Sequence, residues 1–127
     1  MAEPIFDKPD QLSRIKAYCL PGEVIYAVFD CKGAGTGFVG ITDQRVIFFD
    51  QGVLIKHKSM VSLPYERVYG IAAADDGLIF KTSTITLLTG AGNFPFEFRG
   101  SDKAQMAYQY IIRKILKPVP TITPPSL

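Results

Sequence analysis

The chain has 127 residues, 47% of them hydrophobic and 20% charged, with a formal net charge of +2. That length suits one domain around a single core, and the balance is that of a globular chain rather than a disordered one. So slight a basic excess argues against nucleic acid as a partner, because domains that bind it cluster Lys and Arg well beyond their acids.

The longest unbroken apolar run, Val24 to Phe29, is six residues, far short of the ~18 that a membrane-spanning helix needs. The opening MAEPIFDKPD carries acids where a secretory leader has basic and apolar residues, so a cytoplasmic protein is expected. Cys19 and Cys31 match no metal-binding spacing and read as two free thiols.

Residues 7–19, DKPDQLSRIKAYC, predict a short helix. Asp7 is placed to cap it, Pro9 falls in the first turn where a missing N–H is harmless, and Leu12, Ile15 and Cys19 share a face. Pro21-Gly22 ends it. From Glu23 the period changes to two: EVIYAVFDC predicts a strand with Ile25, Ala27 and Phe29 on one face and Val24, Tyr26 and Val28 on the other. The turn KGAG leads to the strands TGFVGIT and RVIFFD, and DQG leads to a strand over VLIKHKS. A polar bridge containing Leu63, Pro64 and Tyr65 precedes RVYGIAAA, and Asp75-Asp76-Gly77 signals a hairpin, since Asp-Gly supplies positive φ angles. LIFKTSTITLLT, the turn GAGN and the alternating FPFEFR complete about seven strands.

Ser101 is a candidate N-cap of the closing helix, with Asp102 at the positive end of the helix dipole. Ala104, Ala107, Tyr108, Ile111, Ile112, Ile115 and Leu116 follow the spacing of one helical face. Pro118 stops the helix, and the remaining PVPTITPPSL is too rich in proline to pair as a central strand and is expected to hang free. A long antiparallel sheet must curl, and an apolar helical stripe must be buried, so the economical solution is a bent sheet closed at one end by the helix.

Three pieces, G-F-V-G-I-T-D-Q-R-V-I-F-F-D (37–50), S-L-P-Y-E-R-V-Y-G-I (62–71) and G-L-I-F…I-T-L (77–87), resemble the bacterial pleckstrin-homology-like (PH-like) domains, nearest to their YokE-like branch. The resemblance covers roughly residues 12–116. It implies a mainly β (α+β) fold: a partly open antiparallel β-barrel or sandwich capped by a C-terminal α-helix, with a short N-terminal helix. The domain would span 1–117, with helices at about 7–19 and 101–117, a sheet over about 23–99, and a tail at 118–127. On this reading Thr42 and Asp43 shape a hairpin turn with their side-chain oxygens, and Arg45 opens the next strand with its charge at the rim.

The chemistry-bearing residues read mostly as structure. The glycine clusters KGAGTG and TGAGN are followed by strands, whereas a phosphate cradle needs a helix directly after its glycines. His57 is solitary between Lys56 and Lys58 and makes no metal set. Asp75 and Asp76 adjoin in a turn, not across a pocket as paired catalytic acids must. No catalytic, cofactor-binding or metal-binding residue is therefore expected. Lys32, Lys56, His57 and Lys58 form a candidate anion or lipid site, each lysine adding about 1 kcal/mol of salt-sensitive attraction to an anionic surface.

The function expected is a non-catalytic interaction module that binds protein partners or itself, through a strand edge that a partly open barrel leaves free. Weak binding to an anionic membrane is the alternative, and a carrier of small apolar ligands is a third. Against the carrier, Phe29, Ile41, Phe48, Phe96 and Phe98 are expected to fill the interior.

Overall fold

The computed structural model describes residues 3–32, 36–52, 56–75 and 82–116. Strands β1 (Ile5–Phe6), β2 (Ile25–Asp30), β3 (Thr36–Thr42), β4 (Arg45–Asp50) and β5 (Ser59–Pro64) form one sheet in that order. Strands β6 (Val68–Asp75), β7 (Thr82–Thr89) and β8 (Gly92–Arg99) form a second. Every pairing is antiparallel except β1 with β2. Helix α1 (Pro9–Tyr18) lies between β1 and β2, a single 3-10 turn (Tyr65–Arg67) joins the sheets, and α2 (Ser101–Ile115) follows β8. The expected class, a mainly β domain with helices at either end of the sheet region, is the observed one. The two sheets do not close into a barrel; bonds from the Lys32 N–H to Glu97 O (2.7 Å) and from Thr36 Oγ1 to Pro95 O (3.3 Å) link them at one corner.

The inner face of the larger sheet contributes Ala27, Phe29, Val39, Ile41, Val46 and Phe48, which meet Ile85, Leu87, Phe96 and Phe98 of the smaller one. Phe48 meets Phe96 nearly edge-on at 5.2 Å between ring centres, and Phe29 meets Phe98 likewise at 6.0 Å. α2 closes the mouth with Ala104, Ala107 and Ile111, and Tyr110 stacks on Tyr26 at 5.5 Å. The two alanines let the helix axis come close, so that Ile111 is fully buried, a contribution of roughly 1.5–3 kcal/mol.

α1 covers the opposite face of the larger sheet, where Leu12 and Ile15 pack on Val28, Phe38 and Ile47. β3 is therefore buried on both faces, all seven of its residues inaccessible. Gly40 makes the close approach possible. A Cβ there would stand 2.8–3.0 Å from Cγ2, Cδ1 and Cγ1 of Ile15.

Several local expectations are corrected. The strand expected over VLIKHKS is not where β4 finds its partner: Asp50 pairs with Ser59 and Arg45 with Pro64, so the "polar bridge" is itself the strand. Lys56, His57 and Lys58 stand exposed ahead of it, with Val53–Ile55 outside the described residues. Ile25 does not share a face with Ala27 and Phe29. A bulge between Ile25 and Ala27 reverses its side, and it packs under α1 with Val28. Asp7 does not cap α1. Lys8 holds that position, and Asp7 instead accepts the Asp30 N–H (2.9 Å) and pairs with Lys103 (2.7 Å). Ser101 is the first residue of α2 and not its cap; Gly100, at φ 103°, makes the entry. The turns at 33–35 and 76–77 and the tail at 118–127 lie outside the described residues. Both cysteines are free, and no helix among the described residues is long and apolar enough to cross a membrane.

Gly40→Ala should lower stability by about 1–3 kcal/mol through overpacking against Ile15. In chemical denaturation the double variant with Ile15→Ala should lose clearly less than the sum of the two single losses. Strict additivity would mean that the contact does not matter.

Candidate functional site

The T-D-Q-R turn between β3 and β4 is densely hydrogen-bonded. Thr42 Oγ1 accepts the N–H groups of Gln44 (3.1 Å) and Arg45 (3.0 Å) and donates to Glu23 Oε2 (2.7 Å). Asp43 exchanges bonds with Val24, its N–H donating to Val24 O and its Oδ1 accepting the Val24 N–H, both at 2.9 Å. The Arg45 guanidinium grips Glu23 with two donors, Nε to Oε2 at 2.9 Å and Nη2 to Oε1 at 2.8 Å. It also reaches Ser62 Oγ (3.1 Å) and Tyr18 O (2.7 Å). Leu20 N–H supplies a further bond to Glu23, so both carboxylate oxygens are doubly satisfied.

The charge of Arg45 is thus turned inward rather than held at the rim. Its hydrogen bonds hold the Glu23 carboxyl down to about 2 against the opposing effect of burial, and Glu23 in turn raises the Arg45 guanidinium. Tyr65, whose hydroxyl donates to Thr42 O at 2.6 Å, is raised by burial. This cluster ties together the loop after α1, the end of β3, the start of β4 and β5, and the Glu23 carboxylate and Arg45 guanidinium in it are engaged by the protein.

The candidate anion site is less concentrated. Lys32 follows β2, while Lys56, His57 and Lys58 precede β5; the Thr36–Asp50–Ser59 register puts both groups at one end of the larger sheet. Between β2 and β5 lie three strand spacings, about 14 Å along the sheet, whereas one phosphate is gripped by donors about 3 Å away.

A site not anticipated residue by residue lies on the smaller sheet. Among the described residues β6 pairs with β7 alone, and Ala72, Ala73, Ala74 and Asp75 are exposed along it. β8, at the other side, already receives the Lys32 N–H. Between β6 and α2 runs a trough of about 370 Å³, floored by Ala73, Ala74, Ile85 and Ala104 and edged by Gln105, Tyr108 and Gln109. Asp75 closes one end, its Oδ1 accepting the Ser83 hydroxyl at 2.5 Å. The trough, about 370 Å³, is at the lower end of the ~300–1,000 Å³ of small-molecule pockets, and it lies beside the edge of β6 that has no strand partner among the described residues. The sequence signal was A-A-A-D, a strand ending without bulky side chains.

Two packed sheets, antiparallel but for the short β1, a corner turn and a C-terminal helix sealing the core define a pleckstrin-homology-like domain. The chain belongs to the bacterial PH domain family, whose model matches residues 21–113. It is 27% identical over 85 residues to the uncharacterized protein YozO of Bacillus subtilis (strain 168), covering 67% of this chain and 72% of that one. Its fold is similar to the crystal structure of a pleckstrin homology domain from Shewanella amazonensis, with a TM-score of 0.59, 21% identity, and coverage of 87% of this chain and 90% of that one. A protein with a pleckstrin-homology domain from Shewanella loihica gives a TM-score of 0.64 at 18% identity, covering 87% and 95%.

Arg45→Ala strands a buried carboxylate and should destabilise the fold by about 3 kcal/mol. Arg45→Lys should recover only part of this, because an ammonium cannot reproduce the two-donor grip. The lowered Glu23 carboxyl contributes stability that is complete above its ordinary value of 4.5 and is lost as pH falls through about 2. Denaturation between pH 5 and pH 2 should therefore show a steeper acid loss in the natural protein than in Glu23→Gln; parallel curves would remove Glu23 as the cause.

Proposed function

We propose that this protein is a non-catalytic interaction module of the cytoplasm that binds protein by accepting an extended segment as an added strand along β6, under the rim of α2. The observation that carries the reading is the outer edge of β6, which pairs with no strand among the described residues, beside the trough. Main-chain donors and acceptors on such an edge give affinity, and an adjoining hollow takes alternate side chains and gives selectivity. Alanines at 72–74 let another backbone approach without obstruction. Membership of the bacterial PH domain family supports a binding module in general terms.

The rival readings have weaker support. For an anionic membrane, the separation of Lys32 from Lys56–Lys58 divides an already small charge between two places. For an apolar carrier, Phe29, Ile41, Phe48, Phe96 and Phe98 occupy the space between the sheets, each no more than 1% exposed.

A displayed library of random linear peptides, selected on the immobilised protein, should yield binders with β-branched residues at alternate positions. Titrating one such peptide should shift the backbone amides of Ile71–Asp75 and Ala104–Gln109, and Gln105→Trp, which fills the trough from an exposed position, should weaken it about tenfold. Shifts confined elsewhere, or salt-sensitive sedimentation with anionic vesicles in place of peptide binding, would overturn the reading.

A further inference from the structure

We propose that this protein pairs with a second copy of itself, face to face about a two-fold axis, through the surface where α1 ends and β2 begins. Five of the eight large apolar side chains that stand exposed among the described residues fall in this quarter of the chain: Ile5, Phe6, Tyr18, Leu20 and Val24. Isolated apolar residues at a surface are ordinary, but a group of them marks a place that another molecule covers. Leu20 is 57% exposed in the turn that carries the chain from α1 to β2. That turn is closed by the Glu23 N–H donating to Leu20 O (3.0 Å) and the Leu20 N–H donating to Glu23 Oε1 (2.9 Å). Glu23 is in turn gripped by Arg45, so Leu20 projects from a rigid base and little order is lost on contact.

Beside this projection lies a hollow of about 400 Å³, walled by Pro4, Cys19, Gly22, Val24 and Ile25 with Lys16 at its rim. It opens where the outer core ends, since Cys19 and Ile25 are the partly buried fringe of the cluster that Leu12 and Ile15 make with the larger sheet. β1 pairs with β2 only at Ala27 and Val28, so among the described residues the start of β2 has a strand neighbour on the β3 side alone. Glu23 also borders the hollow, but its charge is spent on Arg45. A knob and a socket side by side on one face are self-complementary. Half a turn of a second copy seats each Leu20 over the other's hollow.

The charges around the hollow select a second copy over other occupants. Lys16 stands exposed on the α1 wall, and Asp43 lies beyond Val24, whose backbone N–H and C=O it engages. Neither makes an ion pair among the described residues. The half-turn that seats Leu20 also carries each Lys16 toward Asp43 of the other copy, giving two opposite-charge contacts around an apolar centre. An anionic surface fits less well. Asp43 repels it, and so does the negative C-terminal end of α1, whose cap Cys19 lines the hollow. The face is small, so the dimer is weak and reversible. It shares no residue with the β6 edge and leaves that edge to a peptide.

Sedimentation velocity of the full chain from about 10 µM to about 1 mM should show monomer giving way to dimer, as suits a small interface. Over the same range the amides of Lys16–Ile25 and Asp43 should shift with concentration. Leu20→Glu, at an exposed position, should leave thermal unfolding unchanged and weaken association about tenfold or more, since a carboxylate is costly to bury. The decisive comparison uses charge. Lys16→Glu and Asp43→Lys should each weaken association about tenfold by placing like charges in contact, while an equimolar mixture of the two should associate as the natural chain does, both contacts regaining opposite signs. If Asp43→Lys unfolds for want of an acceptor for the Val24 N–H, Asp43→Asn keeps that acceptor, and its mixture with Lys16→Glu should associate more tightly than Lys16→Glu alone. A monomer throughout the range overturns the inference, as does a mixture no tighter than its parts. Concentration-dependent shifts confined to Ile71–Asp75 would put copies edge to edge along β6 and overturn it too. A protein that stays monomeric while decanoate or phosphatidylglycerol vesicles shift Cys19–Ile25 would give the hollow to an apolar ligand or a membrane instead.

Discussion

The pair of Glu23 and Arg45 is the constraint on which the arrangement of this domain turns. A carboxylate removed from water is tolerable only when its oxygens are filled, and here four donors fill them. Those donors come from the loop after α1, from the end of β3 and from the start of β4, while Arg45 reaches on to β5 and to the last residue of α1. Each segment is held where the next must begin: β2 leaves Glu23 at a fixed angle, and β5 is delivered to the corner from which the smaller sheet starts. Register in β2–β3–β4 follows from this anchor, and with it the choice of which residues face inward.

The second constraint is two-sided burial. A sheet with one wet face tolerates polar residues at every second position, but β3 has none to spare because α1 covers its outer side. Thr36 and Thr42, the polar residues at its ends, are both bonded within the protein. Gly37 and Gly40 sit where neighbours press closest: Phe49 and Gln51 on the first, Ile15 on the second. Glycines in a sequence suggest a loop; here Gly40 lets helix α1 lie flat on β3, and Gly37 makes room for the side chains of Phe49 and Gln51.

What could be read beforehand divides along the range of the forces involved. Turns and helix faces are local, so the β3–β4 hairpin, the stripe of α2 and the inward set Phe29, Ile41, Phe48, Phe96 and Phe98 were legible. The Glu23–Arg45 pair spans 22 positions and nothing near either residue announces the other. Ile25 was assigned to the wrong face because a bulge breaks the period of two without a compositional mark. β5 was set too early because Val53-Leu54-Ile55 is more strand-like than Ser59–Pro64, whose place is dictated by pairing with β4. β1, two residues long and parallel, carries no periodic signal at all. A strand edge is the kind of candidate surface that the sequence suggests; which strand lacks a second neighbour among the described residues, here β6, is a property of topology that no local pattern announces.

The order of elements has a consequence for the nascent chain. The eight strands of the described residues leave the ribosome before the helix that seals them, so Phe96, Phe98 and the ring of Tyr26 must wait with one side uncovered until Ala104, Ala107 and Ile111 arrive. Hairpins between adjacent strands close over short sequence separations and form early, whereas the seal is distant from most of what it covers. Damage to the last helix would therefore strand a nearly complete but sticky intermediate, and the domain's yield in the cell would be decided in its final quarter.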